Sequence, residues 1–178
     1  MLTRRNTMLA GAISLAATTG IAGQAEPNPP KLTFAFEARI TLAPPIEQGM
    51  VDGKRKRFIP ITGGTVKGPK LNGAILPSGG DWQSIHPDGL TEISARYTMK
   101  ADDGTVIAIT NPGVRVASAD VIARLSAGDD VDPSLYYFRT TPVFEVVAGP
   151  HAWLRRSVFV ARGIRKPDHV IVEFFEVG

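Results

Sequence analysis

From Leu32 the chain alternates: Leu32, Phe34, Phe36, Ala38, Ile40 and Leu42 share one parity, while Thr33, Ala35, Glu37, Arg39 and Thr41 share the other. Period-two alternation predicts a strand with one face on a core and one wetter face, the habit of antiparallel sheets. Arg57 to Ile61 reads as a second strand, and the glycines and prolines from Gly63 to Gly80 predict turns and bends. Leu90 to Lys100 alternates again, Asp102-Asp103-Gly104 makes a hairpin turn, and Thr105 to Thr110 returns as the partner. Ser118 is placed to cap a short helix running through Leu125, with Asp120 favourable near its start and Gly128 available to end it. Tyr136 to Val147, Ala152 to Arg162 and His169 to Val177 predict three more strands. They are interrupted by Pro142, by Gly149-Pro150 and by Arg165-Lys166-Pro167-Asp168. The pattern is all-β with one short helix, and it fits a closed barrel or a sandwich.

Composition narrows the class. At 178 residues, with 43% hydrophobic and 21% charged positions, the chain suits one globular domain and leaves no room for two. With no cysteine there are no disulfides, cysteine-ligated zinc, iron–sulfur clusters or thiol nucleophile. Residues 1–25 read as an export signal: Arg4-Arg5 precede an uncharged stretch rich in small residues, and Gly23-Gln24-Ala25 offers a cleavage site. The stretch resembles a twin-arginine signal, with a Sec signal or an N-terminal anchor as alternatives. The expectation is a periplasmic or secreted protein, with residues 26–178 as its single domain and no stable membrane insertion after cleavage. Without Arg4 and Arg5, 18 basic residues face 17 acidic ones, so the high isoelectric point implies little about nucleic acid. Lys54-Arg55-Lys56-Arg57 is read as a solvated turn leading into a strand.

Familiar motifs fail on inspection. The stretch Gly63 to Lys70 lacks the lysine and hydroxyl residue of a phosphate-binding loop, and Pro69 removes a backbone donor. His86, His151 and His169 stand singly, with no metal-ligand spacing, so no metal and no cofactor are expected. His169 is read as a surface or strand-edge residue, while His151, beside Trp153, is placed to line a pocket. No Gly-x-Ser-x-Gly elbow appears.

Charges and phenols that share a strand face with apolar residues are more informative, because burying a charge without a partner costs several kcal/mol. Arg139 keeps the parity of Leu135, Tyr137 and Thr141. If that face is internal, Arg139 needs an anion, either Glu145 in a structural ion pair or the carboxylate or enolate of a substrate. Tyr97 shares a face with Ile93, Ala95 and Met99, whereas Arg96 falls with Glu92, Ser94 and Thr98 and looks solvated. Asp81-Trp82-Gln83 offers a carboxylate, a stacking surface and an amide in sequence, or else an aspartate cap with a core tryptophan. Trp153 carries the same two readings.

Several ordered motifs resemble one family: Ile59-Pro60-Ile61-Thr62-Gly63-Gly64 through Gly68-Pro69, Gly80-Asp81-Trp82, Asp88-Gly89, Ala95-Arg96-Tyr97, Asp103-Gly104, Tyr136-Tyr137-Phe138-Arg139-Thr140, Trp153-Leu154 and Gly163-Ile164-Arg165. They are similar to the domain-of-unknown-function 3237 family, also called UPF0311, over about Leu32 to Val177. The resemblance implies a compact antiparallel, calycin-like β-barrel with a polar-lined cavity and attaches no activity. It marks Asp81, Trp82, Arg96, Tyr97, Arg115, Tyr137, Arg139 and Trp153 as motif positions. Ser94 and Arg155 depart from the family's more usual Asp and Asn.

The leading expectation is a cofactor-independent lyase or isomerase that abstracts a proton beside a carbonyl in a small oxygenated or aromatic metabolite. Asp81 serves as base, Arg96 and Arg139 hold the oxyanion, and Tyr97 or Tyr137 donates a proton. Trp82 and Trp153 stack on the ligand, with Arg115 and Glu145 as further contacts. The alternatives are a calycin-like binding protein for a small acidic or aromatic ligand and a structural envelope protein with a filled barrel. A monomer or homodimer is expected.

Overall fold

A computed structural model describes residues 28–178, so the export signal expected at residues 1–25 lies outside the described residues. The strands are β1 (Leu32–Leu42), β2 (Ile46–Val51), β3 (Lys54–Lys67), β4 (Gly73–Ile85), β5 (Leu90–Ala101), β6 (Val106–Val116), β7 (Tyr137–Thr140), β8 (Val143–Val146), β9 (Val158–Arg165) and β10 (His169–Val177). All pairings are antiparallel. The ring runs β1-β10-β9-β7-β6-β5-β4-β3 and closes through β1 on β3, making an eight-stranded barrel. Closure removes the free edges that an open sheet would present to other chains. β2 extends β3 as a hairpin outside the ring, and β8 pairs with β6 beyond β7.

The expected hairpin is present, with Leu90–Ala101 registered against Val106–Val116. The expected helix is α1 (Ala119–Ala127): Ser118 Oγ accepts from Val121 N–H, and Gly128 closes the helix in the left-handed region at φ 90°. Three sequence expectations need correction. Gly63 to Gly80 is mostly strand, because these glycines permit close strand contact rather than ending strands. A Cβ on Gly64 would lie 2.1 Å from the Arg39 carbonyl oxygen, and one on Gly79 2.0 Å from that of Arg96. Both residues hold positive φ where the β3–β4 register shifts, which bends the sheet into a barrel. Ala152–Arg155 is a 3-10 turn, and its strand begins only at Val158. Leu154 is buried and the adjacent Trp153 packs against the same core, which two successive strand residues cannot do. Finally, the basic run is a strand, and only part of it is solvated. Arg55 pairs with Glu47 on the surface, whereas Arg57 is buried.

Side chains of one parity fill the barrel. Phe36 and Phe174 stack with ring centres 4.6 Å apart, and Phe144 meets Phe159 edge-on at 5.1 Å. With Met99, Ile107 and Leu154 they form an apolar floor. The segment from Ala117 to Tyr136, which contains α1, lies across the opposite end. It is tied there by Ala117 N–H to the Gly89 carbonyl, by Lys166 to Asp130, and by Arg165 N–H to the Tyr136 hydroxyl.

Candidate functional site

Above that floor, polar residues replace aliphatic ones on the inward parity. In register, Asp81 lies between Ile59 and Ala95, Asn111 stands opposite Ala95, Thr140 stands opposite Gly113, and Arg115 lies between Thr91 and Phe138. These inward positions surround a cavity of about 50 Å³ walled by Ile40, Ile59, Ile61, Ile93 and Val172, with Asp81, Gln83, Tyr97, Asn111, Arg115, Thr140 and Arg165 as its polar lining.

The polar groups divide into those already held and those left free. Asp81 accepts from Gln83 Nε2 and from Ser94 N–H, and Gln83 Oε1 accepts from Arg57 Nε at 2.8 Å. Arg165 is committed to the backbone carbonyls of His169 and Pro167. In contrast, the Tyr97 hydroxyl, Asn111 Oδ1, Thr140 Oγ1, and Arg115 Nε and Nη2 are buried with no protein partner. A buried polar atom left unpaired costs about 1–3 kcal/mol, so a concentration of them around one cavity marks a place built for something other than stability.

Electrostatics follow from the enclosure. Part of the Asp81 surface is accessible, yet protein atoms surround it closely enough that burial pushes its carboxyl above the ordinary range. Its hydrogen bonds from Gln83 and Ser94, and the more distant Arg115 and Arg57, oppose that rise. Burial lowers Arg115 to about 10, with repulsion from Arg57 and Arg165 adding to the effect and Asp81 opposing it. Burial raises the Tyr97 phenol, and the neighbouring Asn111 amide counters in part without completing a hydrogen bond. With Arg57, Arg115 and Arg165 set against Asp81, the interior carries an excess of positive charge. Among the described residues no group of three His, Asp or Glu side chains converges as a metal site.

Of the residues singled out from sequence, the barrel brings Asp81, Tyr97 and Arg115 together around the cavity. The others lie elsewhere. Arg139 and Tyr137 are exposed on the outer wall, the guanidinium 5.0 Å from the phenol ring centre, because Phe138 and Thr140 hold the inward parity of β7. Glu145 is exposed on β8 and makes no ion pair with Arg139, whose Nη1 donates instead to the Phe138 carbonyl. Arg96 points outward, opposite in parity to Ala95 and Tyr97. Trp82 is outside, packed on Phe58 at 4.6 Å, and Trp153 sits at the floor end against Phe159 with Lys70 over its ring. His151 pairs with Asp103 on the surface, and His169 is buried against Asp168.

Sequence reasoning missed Asn111, Thr140 and Arg165 as cavity residues and Arg57 as a buried one. Parity could have found them. Arg57 alternates with Ile59 and Ile61, Asn111 with Ile107 and Ile109, Thr140 with Phe138, and Arg165 with Phe159, Ala161 and Gly163.

A closed antiparallel barrel with an apolar floor, a small polar chamber and an excess of buried arginine defines a class of compact β-barrels with a polar-lined interior. The family model described as "Protein of unknown function (DUF3237)" matches residues 30–177, and the chain belongs to that family. A UPF0311 protein of Clostridium acetobutylicum is 40% identical over 144 residues, which span 80% of this chain and 91% of that protein. The crystal structure of a conserved protein of unknown function from Rhodopseudomonas palustris superposes with a TM-score of 0.83 at 33% identity. That match covers 85% of this chain and all of the other. A hydroalkoxylation enzyme of Penicillium herquei is 33% identical over 99 residues, covering 55% of this chain and 65% of the enzyme.

Proposed function

We propose that this protein is a cofactor-independent acid–base enzyme of the lyase or isomerase type, acting on a small oxygenated organic molecule inside the barrel. One observation carries the reading: a half-buried carboxyl whose proton affinity is raised lines the same cavity as the unpartnered Tyr97 hydroxyl and Arg115 guanidinium. Proton transfer works best when the group's pKa is brought toward the working pH, and desolvation moves a carboxyl in that direction. Asp81 exchanges the proton, Arg115 holds the oxygen on which charge develops, and Tyr97 supplies a second proton donor. The relative in Penicillium herquei favours this class, because hydroalkoxylation adds O–H across C=C. One proton goes to carbon and another leaves oxygen, a pair of transfers that two fixed acid–base groups can handle.

Hydrogen–deuterium exchange tests the proposal. Full-length protein is incubated in deuterium oxide with small hydroxy, keto and aromatic carbonyl compounds, and loss of C–H signal beside the carbonyl is followed by NMR. Exchange that falls by about 10²-fold or more in Asp81→Asn is expected, the usual range for losing a general acid–base group. Equal rates in the variant, or binding with no exchange on any compound, would refute catalysis, and the latter result would favour a calycin-like binding protein. We also propose export, on the Arg4-Arg5 segment alone. A reporter fused after residue 25 should leave the cytoplasm, and retention there would refute it.

A further inference from the structure

Arg115 is 2% exposed, and its Nε and Nη2 donate to no protein atom. These nitrogens form one edge of the guanidinium, the edge that offers two parallel hydrogen bonds to both oxygens of a planar carboxylate. The protein uses that edge elsewhere. Arg55 Nε donates to Glu47 Oε2 at 2.9 Å and its Nη2 to Oε1 at 2.7 Å, where the chain supplies its own carboxylate at the surface. Inside the barrel the chain supplies none. Asp81 is engaged by Gln83 and Ser94 and acts on Arg115 only at longer range.

The surroundings point the same way. Arg57 and Arg165 add positive charge near Arg115, so a neutral ligand would leave the excess uncompensated. The chamber of about 50 Å³ is small. A water molecule needs roughly 10–15 Å³ on this measure, so the space suits a ligand of a few heavy atoms.

We infer that the substrate of this site is a small monocarboxylate, gripped by the Arg115 guanidinium while its remaining atoms reach toward Asp81 and Tyr97. The inference rests on the barrel interior being the substrate site, as proposed above, and it names the chemical class that the site takes.

The test compares charge at constant shape. Acetate, glycolate and pyruvate are titrated into full-length protein beside acetamide, glycolamide and pyruvamide, with binding followed by calorimetry and ligand-observed NMR in a buffer free of other carboxylates. At least one acid is expected to bind tenfold or more tighter than its amide. Arg115→Lys, which keeps the charge and loses the fork, should remove most of that preference, and Arg139→Ala should leave it intact. Acids and amides binding alike in the wild type would overturn the inference without recourse to any variant. So would an unchanged preference in Arg115→Lys, no acid binding, or inorganic phosphate binding tighter than every acid. Carboxylate preference through Arg115 without C–H exchange would uphold this assignment while removing the acid–base reading. Exchange on neutral carbonyl compounds with no preference for acids would do the reverse.

Discussion

Replacing Arg115 by methionine tests whether the barrel tolerates this arginine at a loss. The side chain is buried, two of its donors lack partners, and its pKa falls from 12.5 to about 10. At about 1.4 kcal/mol per pKa unit, that fall corresponds to roughly 3 kcal/mol set against the charged form. The sign holds at neutral pH, because the penalty is present wherever the folded protein keeps the proton, that is, below the lowered value. Methionine fills similar volume without charge, although it forfeits the attraction to Asp81, which then protonates more readily. The net expectation for Arg115→Met is a gain of about 1–3 kcal/mol, within the range seen when buried ionic groups give way to apolar ones. For a chain of this size that is a rise in Tm of roughly 3 to 10 °C. Thermal and urea unfolding are run without carboxylates or phosphate, since a bound anion would stabilise only the wild type. A loss of more than about 1 kcal/mol would refute the reasoning and make Arg115 part of the framework.

Asp81 gives the second test. Its folded pKa lies above 3.8, so the folded state favours its protonated form. The associated stability is present at low pH and is lost as pH rises from about 4 through the raised value. Melting curves across that window should show the fall in wild type and its absence in Asp81→Asn. Phe174→Ala should cost about 3–5 kcal/mol in urea titration, because Phe174 is fully buried and stacked on Phe36. Arg139→Ala and Arg96→Ala, both on the outer wall, should each change stability by no more than about 0.5 kcal/mol, and a larger loss would contradict their exposed placement.

Strand β1, the β5–β6 hairpin and the capped helix were legible because each rests on local pattern: alternation in β1 and β5, Asp103-Gly104 at the hairpin, Ser118 and Gly128 around α1. Gly64 and Gly79 misled, because a glycine that admits a neighbouring carbonyl and a glycine that turns the chain look alike until the strand beside it is known. The site was half legible. Parity placed Tyr97 with aliphatic residues, and the family motifs raised Asp81 and Arg115. Arg139 lies outside the cavity with its neighbours Leu135 and Tyr137, and parity alone does not say which face of a strand points in. Arg57 was undervalued because it ends a basic run whose earlier members are less buried.

The apolar floor does more than close one end. Its stacked phenylalanines supply a reserve of folding energy beneath the chamber, and a protein with such a reserve tolerates costly residues elsewhere before it crosses the threshold for unfolding. Substitutions at Asn111, Thr140 or Arg115 can therefore change the chamber's shape and charge while the barrel persists. The residues that hold the fold together are thus separate from those that shape the interior, and a change in the second set need not disturb the first.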